Sequence, residues 1–428
     1  MGKLAAWLEN RTPPVVATVA MLVGVLAFSL MGHAVLHSGQ DGLLSPGDLW
    51  SLASSSSAVL HGDFANIYMR HGALTSPPAF EIALMPVMGL GELVGLSPHL
   101  RATGEPLSLW LVLGPAAVLL ASTALFAVDA VARAWSFSEQ RRLALALVGG
   151  LGVANVTAYW GHPEDCMAVA FVLWAALSME RRGSAGASRA ALLLGIGIAL
   201  QPLALLAVAP ILARLTWRRA GRLVGWLAVP SLVVLAAPLI AETHRTLFVL
   251  VRQPFPPAYV SLTPLTSLAS HLSPGVDGGG PTRLVAILLA SALAIVVCHR
   301  RHDLPTVLTM VAVAFFLRVL LETELNWYYL WPVPALCLLL ALRRSPFRFA
   351  LCSLALVASA VLGNHRVHDI ALWWPALMAT VVVMLLCAAP PPRRWAELAA
   401  GRRTAGAATR PLEFTTMGNA VAAGGRRE

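Results

Sequence analysis

The residues of this chain whose types and spacing could do chemistry gather in a few short stretches. The first is 45–78, SPGDLWSLASSSSAVLHGDFANIYMRHGALTSPP, which carries Asp48, His61, Asp63, Arg70 and His71. The turn WGHPEDC adds His162, Glu164 and Asp165. Gln201 precedes Pro202 at a break between two apolar runs, and Glu242, His244, Arg245 and Arg252 open a long stretch rich in Pro and Gly. The turn ETELNWYYLWP contributes Glu322, Glu324, Asn326, Trp327, Tyr328 and Tyr329.

Each group has two readings. Asp48 opens the amphipathic stretch DLWSLASSSSAVL, where a carboxylate either caps a helix or, within reach of a hydroxyl, takes its proton as a general base. Asp63, fifteen residues on, is the second carboxylate of the same loop. His162, Glu164 and Asp165 follow no strong metal-ligand spacing. Acids in a first helical turn suit the helix dipole, so no metal is expected. Arg70, Arg245 and Arg252 could each grip a phosphate in a bidentate fork or sit among lipid headgroups. Arg318 and Glu322 are four apart and fit a helical ion pair. Trp327, Tyr328 and Tyr329 fit an interfacial aromatic belt, and aromatic faces also stack on sugar rings.

The elements that must position these groups are apolar. Of 428 residues, 57% are hydrophobic and 12% charged. That composition excludes a soluble globular domain and implies an all-α polytopic membrane protein. A β-barrel would show short alternating segments instead of long apolar runs. The net charge of +10 is carried almost wholly by Arg, Lys3 being the only lysine. Because these charges fall in short loops between apolar runs, they point to membrane lipids as partners and not to nucleic acid. The five cysteines lie in or beside apolar runs, with no CxxC spacing and no disulfide framework.

Apolar runs qualify as spans at about 15–36, 107–131, 142–159, 165–180, 187–200, 202–214, 221–241, 283–298, 305–321, 327–342, 347–363 and 370–388. The first is too long for a signal-peptide core and is followed by no small-residue cleavage site; it is expected to be a retained helix. With the Arg clusters on the cytoplasmic side, the parity of this bundle of about 12 helices works throughout. Both termini and most of the 31 basic residues then lie on the cytoplasmic side of the cell membrane. The loops 38–106 and 242–282 lie outside, together with nearly every group named above. The parity requires 79–97, which contains Glu81, Pro86 and Glu92, to be an outer interfacial or re-entrant helix. Glu81 and Glu92, about three turns apart, share a face. The runs 187–200 and 202–214 read as a bent pair broken at Gln201-Pro202. Residues 1–389 are expected to form one domain, and 390–428 a disordered cytoplasmic tail.

In order along the chain these motifs resemble GT-C-fold glycosyltransferases that use polyprenyl-phosphate sugars. The likeness is to the actinobacterial mannosyltransferases of phosphatidylinositol mannosides and lipomannan, glycosyltransferase family 87. Asp48-Leu49-Trp50 is similar to that family's D-L-x-x-Y-like element after the first span, and Ser76-Pro77-Pro78 with Pro86 to its Y-P-P-like element. Tyr159–Asp165, Gly197–Pro202 and Asn326–Pro334 resemble three later elements. Gln201 stands where the pattern has a lysine, and Trp327-Tyr328 where it has a His pair. The resemblance implies direct, inverting transfer of a sugar, mannose by likeness, from a polyprenyl-phosphate donor to a glycolipid or glycan acceptor. Asp48 is then the general base, Arg245 or Arg252 steadies the leaving phosphate, and no cofactor is needed. Asp63, Arg70, His71, His162, Glu164, Asp165, Gln201, Asn326, Trp327 and Tyr328 are the remaining candidates for substrate contact.

Two rival classes remain. A transporter or flippase would need polar residues along a path through mid-membrane, whereas these cluster at one face, and no internal repeat is visible. A non-catalytic scaffold would have no use for the cluster.

Overall fold

In lipid, every backbone N–H and C=O must find a partner within the protein, and helices achieve this inside one segment. The computed structural model describes residues 10–35, 47–68, 76–96, 107–213, 215–252, 263–266, 281–323, 325–365 and 370–390, and these are helical with no strand. Among the described residues, five helical stretches are long and apolar enough to cross a membrane: Trp110–Ala134, Glu139–Tyr159, Trp217–Ala241, Pro346–Asn364 and Ile370–Ala388. Five shorter apolar helices accompany them. The protein is therefore an α-helical membrane protein. The chain divides into Met1–Ala389 and Pro390–Glu428, the latter outside the described residues except for Pro390.

The α-helices run in the order α1 (Thr12–Val35), α2 (Gly47–Leu60), α3 (Ala79–Leu93), α4 (Leu107–Ala121), α5 (Thr123–Ala134), α6 (Glu139–Ala154), α7 (Pro163–Arg182) and α8 (Ala187–Leu200). They continue with α9 (Val208–Leu212), α10 (Trp217–Ala241), α11 (Thr243–Arg252), α12 (Pro281–Cys298), α13 (Leu304–Leu320), α14 (Pro332–Arg344), α15 (Pro346–Asn364) and α16 (Ile370–Ala388). The expected spans 165–180 and 327–342 correspond to α7 and α14, which are buried over most of their length. Much of the bundle packs on these two: α7 on α5, α8 and α13, and α14 on α13, α15 and α16. All five cysteines are free and buried within the bundle.

The bent pair breaks where Pro202 predicts. Gln201 is extended, with φ −153° and ψ 119°, and residues Pro202–Ala207 form a 3₁₀ turn before α9. The stretch 79–97 forms α3, which lies against α2, α4 and α8 with Phe80, Glu81, Leu84, Met88 and Gly91 buried. Glu81 and Glu92 both meet α2. The Ser56 hydroxyl donates to the Glu81 carbonyl at 2.7 Å, and the Ser57 hydroxyl to Glu92 Oε1 at 2.8 Å.

Charges sort to the ends of the bundle. Asp129 of α5 is buried and gathers Arg142 at 2.7 Å, Arg133 at 3.2 Å and Arg11 at 3.9 Å. This ties the start of α1 to the α5–α6 turn. The starts of α2 and α7 lie at the opposite end. There the helices close tightly: a Cβ on Gly152 of α6 would overlap the Trp331 ring.

Gly152→Ala is predicted to force Trp331 out of place and to destabilise the protein by about 1–3 kcal/mol, the usual scale of overpacking. Thermal unfolding in detergent measures it, and an unchanged midpoint would contradict the packing described.

Candidate functional site

Three local features bring the site together. Leu49 and Trp50 are buried against α3 and α4, in a cluster with Phe80, Leu84, Trp110 and Leu113, and so fix the first turn of α2. Asp48, the residue before them, stays at the surface, its side chain 54% exposed. On the facing side α6 ends in a π-helical turn, Asn155–Tyr159, a rare conformation that recurs at functional sites. Gly161 then takes φ +78°, a left-handed value that suits glycine, and the His162 N–H closes back on the Val156 carbonyl at 3.0 Å. This reversal sets His162 at the mouth of α7, pointing at Asp48.

His162 is held on three sides. Its Nε2 lies 3.0 Å from Asp48 Oδ2 and its Nδ1 2.7 Å from Glu164 Oε1. Its ring stacks on Tyr328, with centroids 3.7 Å apart and planes 20° from parallel. A neutral imidazole has one N–H, so one of its nitrogens would face carboxylate lone pairs; an imidazolium donates to both. Burial alone would lower the His162 pKa, but Glu164 and Asp48 outweigh it and hold the group well above its ordinary value. Burial alone would raise Asp48, but the hydrogen bond and charge of His162 hold it below its ordinary value. Both groups lie outside the spanning helices. Asp48's contribution to stability is present above about pH 3.9 and fades as pH falls through its lowered pKa. The His162 contribution is complete below about pH 6.5 and fades as pH rises through its raised one. At neutral pH the pair is intact and Asp48 is an oriented carboxylate that can accept a proton.

Behind this pair lie further acids. Asp165 and Glu81 are fully buried, and none of their four carboxylate oxygens has a hydrogen-bond partner among the described residues. Glu164 faces both of these carboxyls, and Arg318 and Gln201 also bear on Asp165. Arg318 lies 3.5 Å from Glu322 and 4.7 Å from the centre of the Tyr329 ring. Arg283 meets Glu322 through two contacts of 2.8 and 3.0 Å. Among the described residues, no three His, Cys, Asp or Glu side chains are grouped to hold a metal ion.

The sequence candidates therefore separate. Asp48, His162, Glu164, Asp165, Gln201 and Tyr328 converge. Asp63 binds the Asn66 amide at 2.9 and 3.0 Å in its own turn. Trp327 is turned into the bundle, its indole N–H donating to Ser359 at 3.2 Å and its ring packed over Gly363. Asn326 is buried just before it, and its carbonyl accepts from the Tyr329 N–H. Arg245 is exposed and donates to the Tyr68 carbonyl at 3.2 Å. Arg70 and His71, and the side chain of Arg252, fall outside the described residues.

Sequence reasoning passed over Glu81, Arg283, Tyr159 and Trp160 as site residues. Trp160 donates to Asn364 at 3.0 Å, and Asn364 in turn to Asn155 at 2.9 Å, which fixes the π-turn to the end of α15. An ionisable residue within an apolar run is itself a signal of function, and it applied to Glu81. Compared with known proteins, the chain matches no family model and no curated sequence.

In ¹⁵N-histidine-labelled protein, His162 is predicted to be doubly protonated at pH 7.5 and to lose its proton at lower pH in Asp48→Asn. Nitrogen shifts, assigned with His162→Gln, measure this. A neutral ring at pH 7 in both proteins would refute the charged pair.

Proposed function

We propose that the protein is a membrane glycosyltransferase that moves a sugar from a polyprenyl-phosphate donor to a lipid-linked or cell-envelope glycan acceptor. The observation that carries this reading is the exposed Asp48 carboxylate, ionised and aimed by His162 at one end of an apolar helix bundle. The family resemblance adds mannose as the sugar and inversion as the outcome. The apolar runs and the charge parity of their loops support a twelve-span arrangement with both termini in the cytoplasm and the site at the outer face of the cell membrane.

The reaction follows from what Asp48 can do. The acceptor hydroxyl oxygen attacks the anomeric carbon, and its proton passes to Asp48. The bond from the anomeric carbon to the phosphate oxygen breaks on the opposite face, and its electron pair stays with the polyprenyl phosphate. A carboxylate of lowered pKa is a weak base. The hydroxyl, however, becomes acidic as its oxygen bonds to a carbon with oxocarbenium character, so a carboxylate suffices, as it does for activated water in inverting glycosidases. Glu164 and Tyr328 act through His162 as positioning residues. Arg245, exposed at the start of the long outer loop, supplies charge for the leaving phosphate.

One observation favours a second reading. Buried carboxyls without hydrogen-bond partners among the described residues, Glu81 and Asp165, suit a carrier that binds protons. Accumulation of a lipid-linked sugar in sealed vesicles, without covalent product, would support that carrier.

Asp48→Asn is predicted to fold normally and to lower transfer from polyprenyl-phosphate mannose by about 10²–10⁴-fold, the usual weight of a general base. Transfer at the wild-type rate by that variant in proteoliposomes would refute the assignment.

A further inference from the structure

A cavity of about 540 Å³ lies between α1, α4 and α6, within the range of about 300–1,000 Å³ common to small-ligand sites. Ala20 and Gly24 of α1 and Gly150 and Ala154 of α6 give it a floor of small residues, and Trp110 of α4 lines one side. Among the described residues, no charged side chain lines it. Leu147 and Leu151 on its rim are exposed on the outside of the bundle, so it opens toward lipid. An uncharged apolar trough open to lipid is suited to a hydrocarbon chain.

The lining also includes the π-helical turn, through Ala158 and Tyr159, and Tyr159 is 40% exposed. From there a wall of rings runs to the candidate base. Tyr159 meets Trp160 at 5.3 Å, Trp160 meets Tyr328 at 5.6 Å, and Tyr328 stacks on His162 at 3.7 Å. His162 holds Asp48. A ligand lying along this path has a hydrocarbon part in the trough and a polar head at the carboxylate. In a polyprenyl-phosphate sugar only the phosphate separates the chain from the reacting anomeric carbon. A glycolipid acceptor carries its reacting hydroxyl beyond a glycan head, which sets its own chains further from the base.

We propose that the α1–α4–α6 cavity holds the isoprenoid chain of the donor, leading its phosphate-linked sugar to Asp48. This rests on the glycosyl-transfer reading above. Gly24 offers the means to test it: it lines the trough, and a Cβ there meets nothing within 4 Å, so a side chain can be added at this position.

The test uses the full chain in proteoliposomes with a photoreactive undecaprenyl phosphate, and in parallel a photoreactive phosphatidylcholine. The polyprenyl probe is expected to label peptides from 147–159, to be displaced by unlabelled undecaprenyl phosphate, and to label Gly24→Leu about tenfold less, a loss near 1.4 kcal/mol. Asp48→Asn should be labelled like the wild type. Equal labelling by phosphatidylcholine without displacement, or undiminished labelling of Gly24→Leu, would overturn the proposal. Because labelling needs no turnover, the two readings fail separately. Displaceable labelling without any sugar transfer by the wild type removes the glycosyltransferase reading and leaves the chain site standing, whereas Asp48-dependent transfer without displaceable labelling removes the chain site alone.

Discussion

The contact between Asp48 and His162 joins residues 114 positions apart, and the candidate site depends on it. It requires the first turn of α2 and the first turn of α7 to meet at the same end of the bundle. The buried Leu49 and Trp50 hold one partner in place. The π-turn, Gly161 and the Trp160–Asn364–Asn155 hydrogen bonds hold the other. Glu164 completes the arrangement by binding the second nitrogen of His162, so that one imidazolium is shared by two carboxylates. Glu164, itself buried, keeps its contact with the ring when Asp48 is replaced, so the exposed Asp48 can be changed without leaving the His162 charge alone.

Charge at the two ends of the bundle is handled differently. At the Asp129 end a single buried carboxylate draws in three arginines that themselves reach toward the surface, an arrangement that ties helices together. At the Asp48 end two carboxyls hold one histidine, and behind them Glu81 and Asp165 are buried with no hydrogen-bond partner for their carboxylate oxygens among the described residues. Buried polar groups are ordinarily hydrogen-bonded, and departures call for a reason. At this end the reason we offer is chemistry: the site holds proton-binding groups beside an exposed carboxylate.

Much of this was legible in the sequence. Apolar runs predict the helices because lipid leaves no alternative for the backbone, and Pro202 predicts the break in the bent pair. Asp48, His162, Glu164 and Asp165 were visible as polar residues in short interruptions, and charge parity assigned them to one face. What could not be read was which side chains turn toward one another. Trp327 and Tyr328 are neighbours in one aromatic turn, yet the first packs into the bundle and the second stacks on His162. That choice is made by Gly363 and Ser359 of α15, distant in sequence. Asp63 looked equivalent to Asp48 and instead satisfies itself locally through Asn66. Arg283 follows the long loop 242–282, and nothing in its local pattern reveals that it meets Glu322. The π-turn has no sequence signature of its own.

Glycosyl transfer is the function we propose for this arrangement. Mass spectrometry of cell-envelope glycolipids, with and without the gene, tests that claim most directly. Loss of one glycolipid, with accumulation of the species lighter by a single sugar residue, is the predicted result. An identical glycolipid profile in the two strains would contradict it.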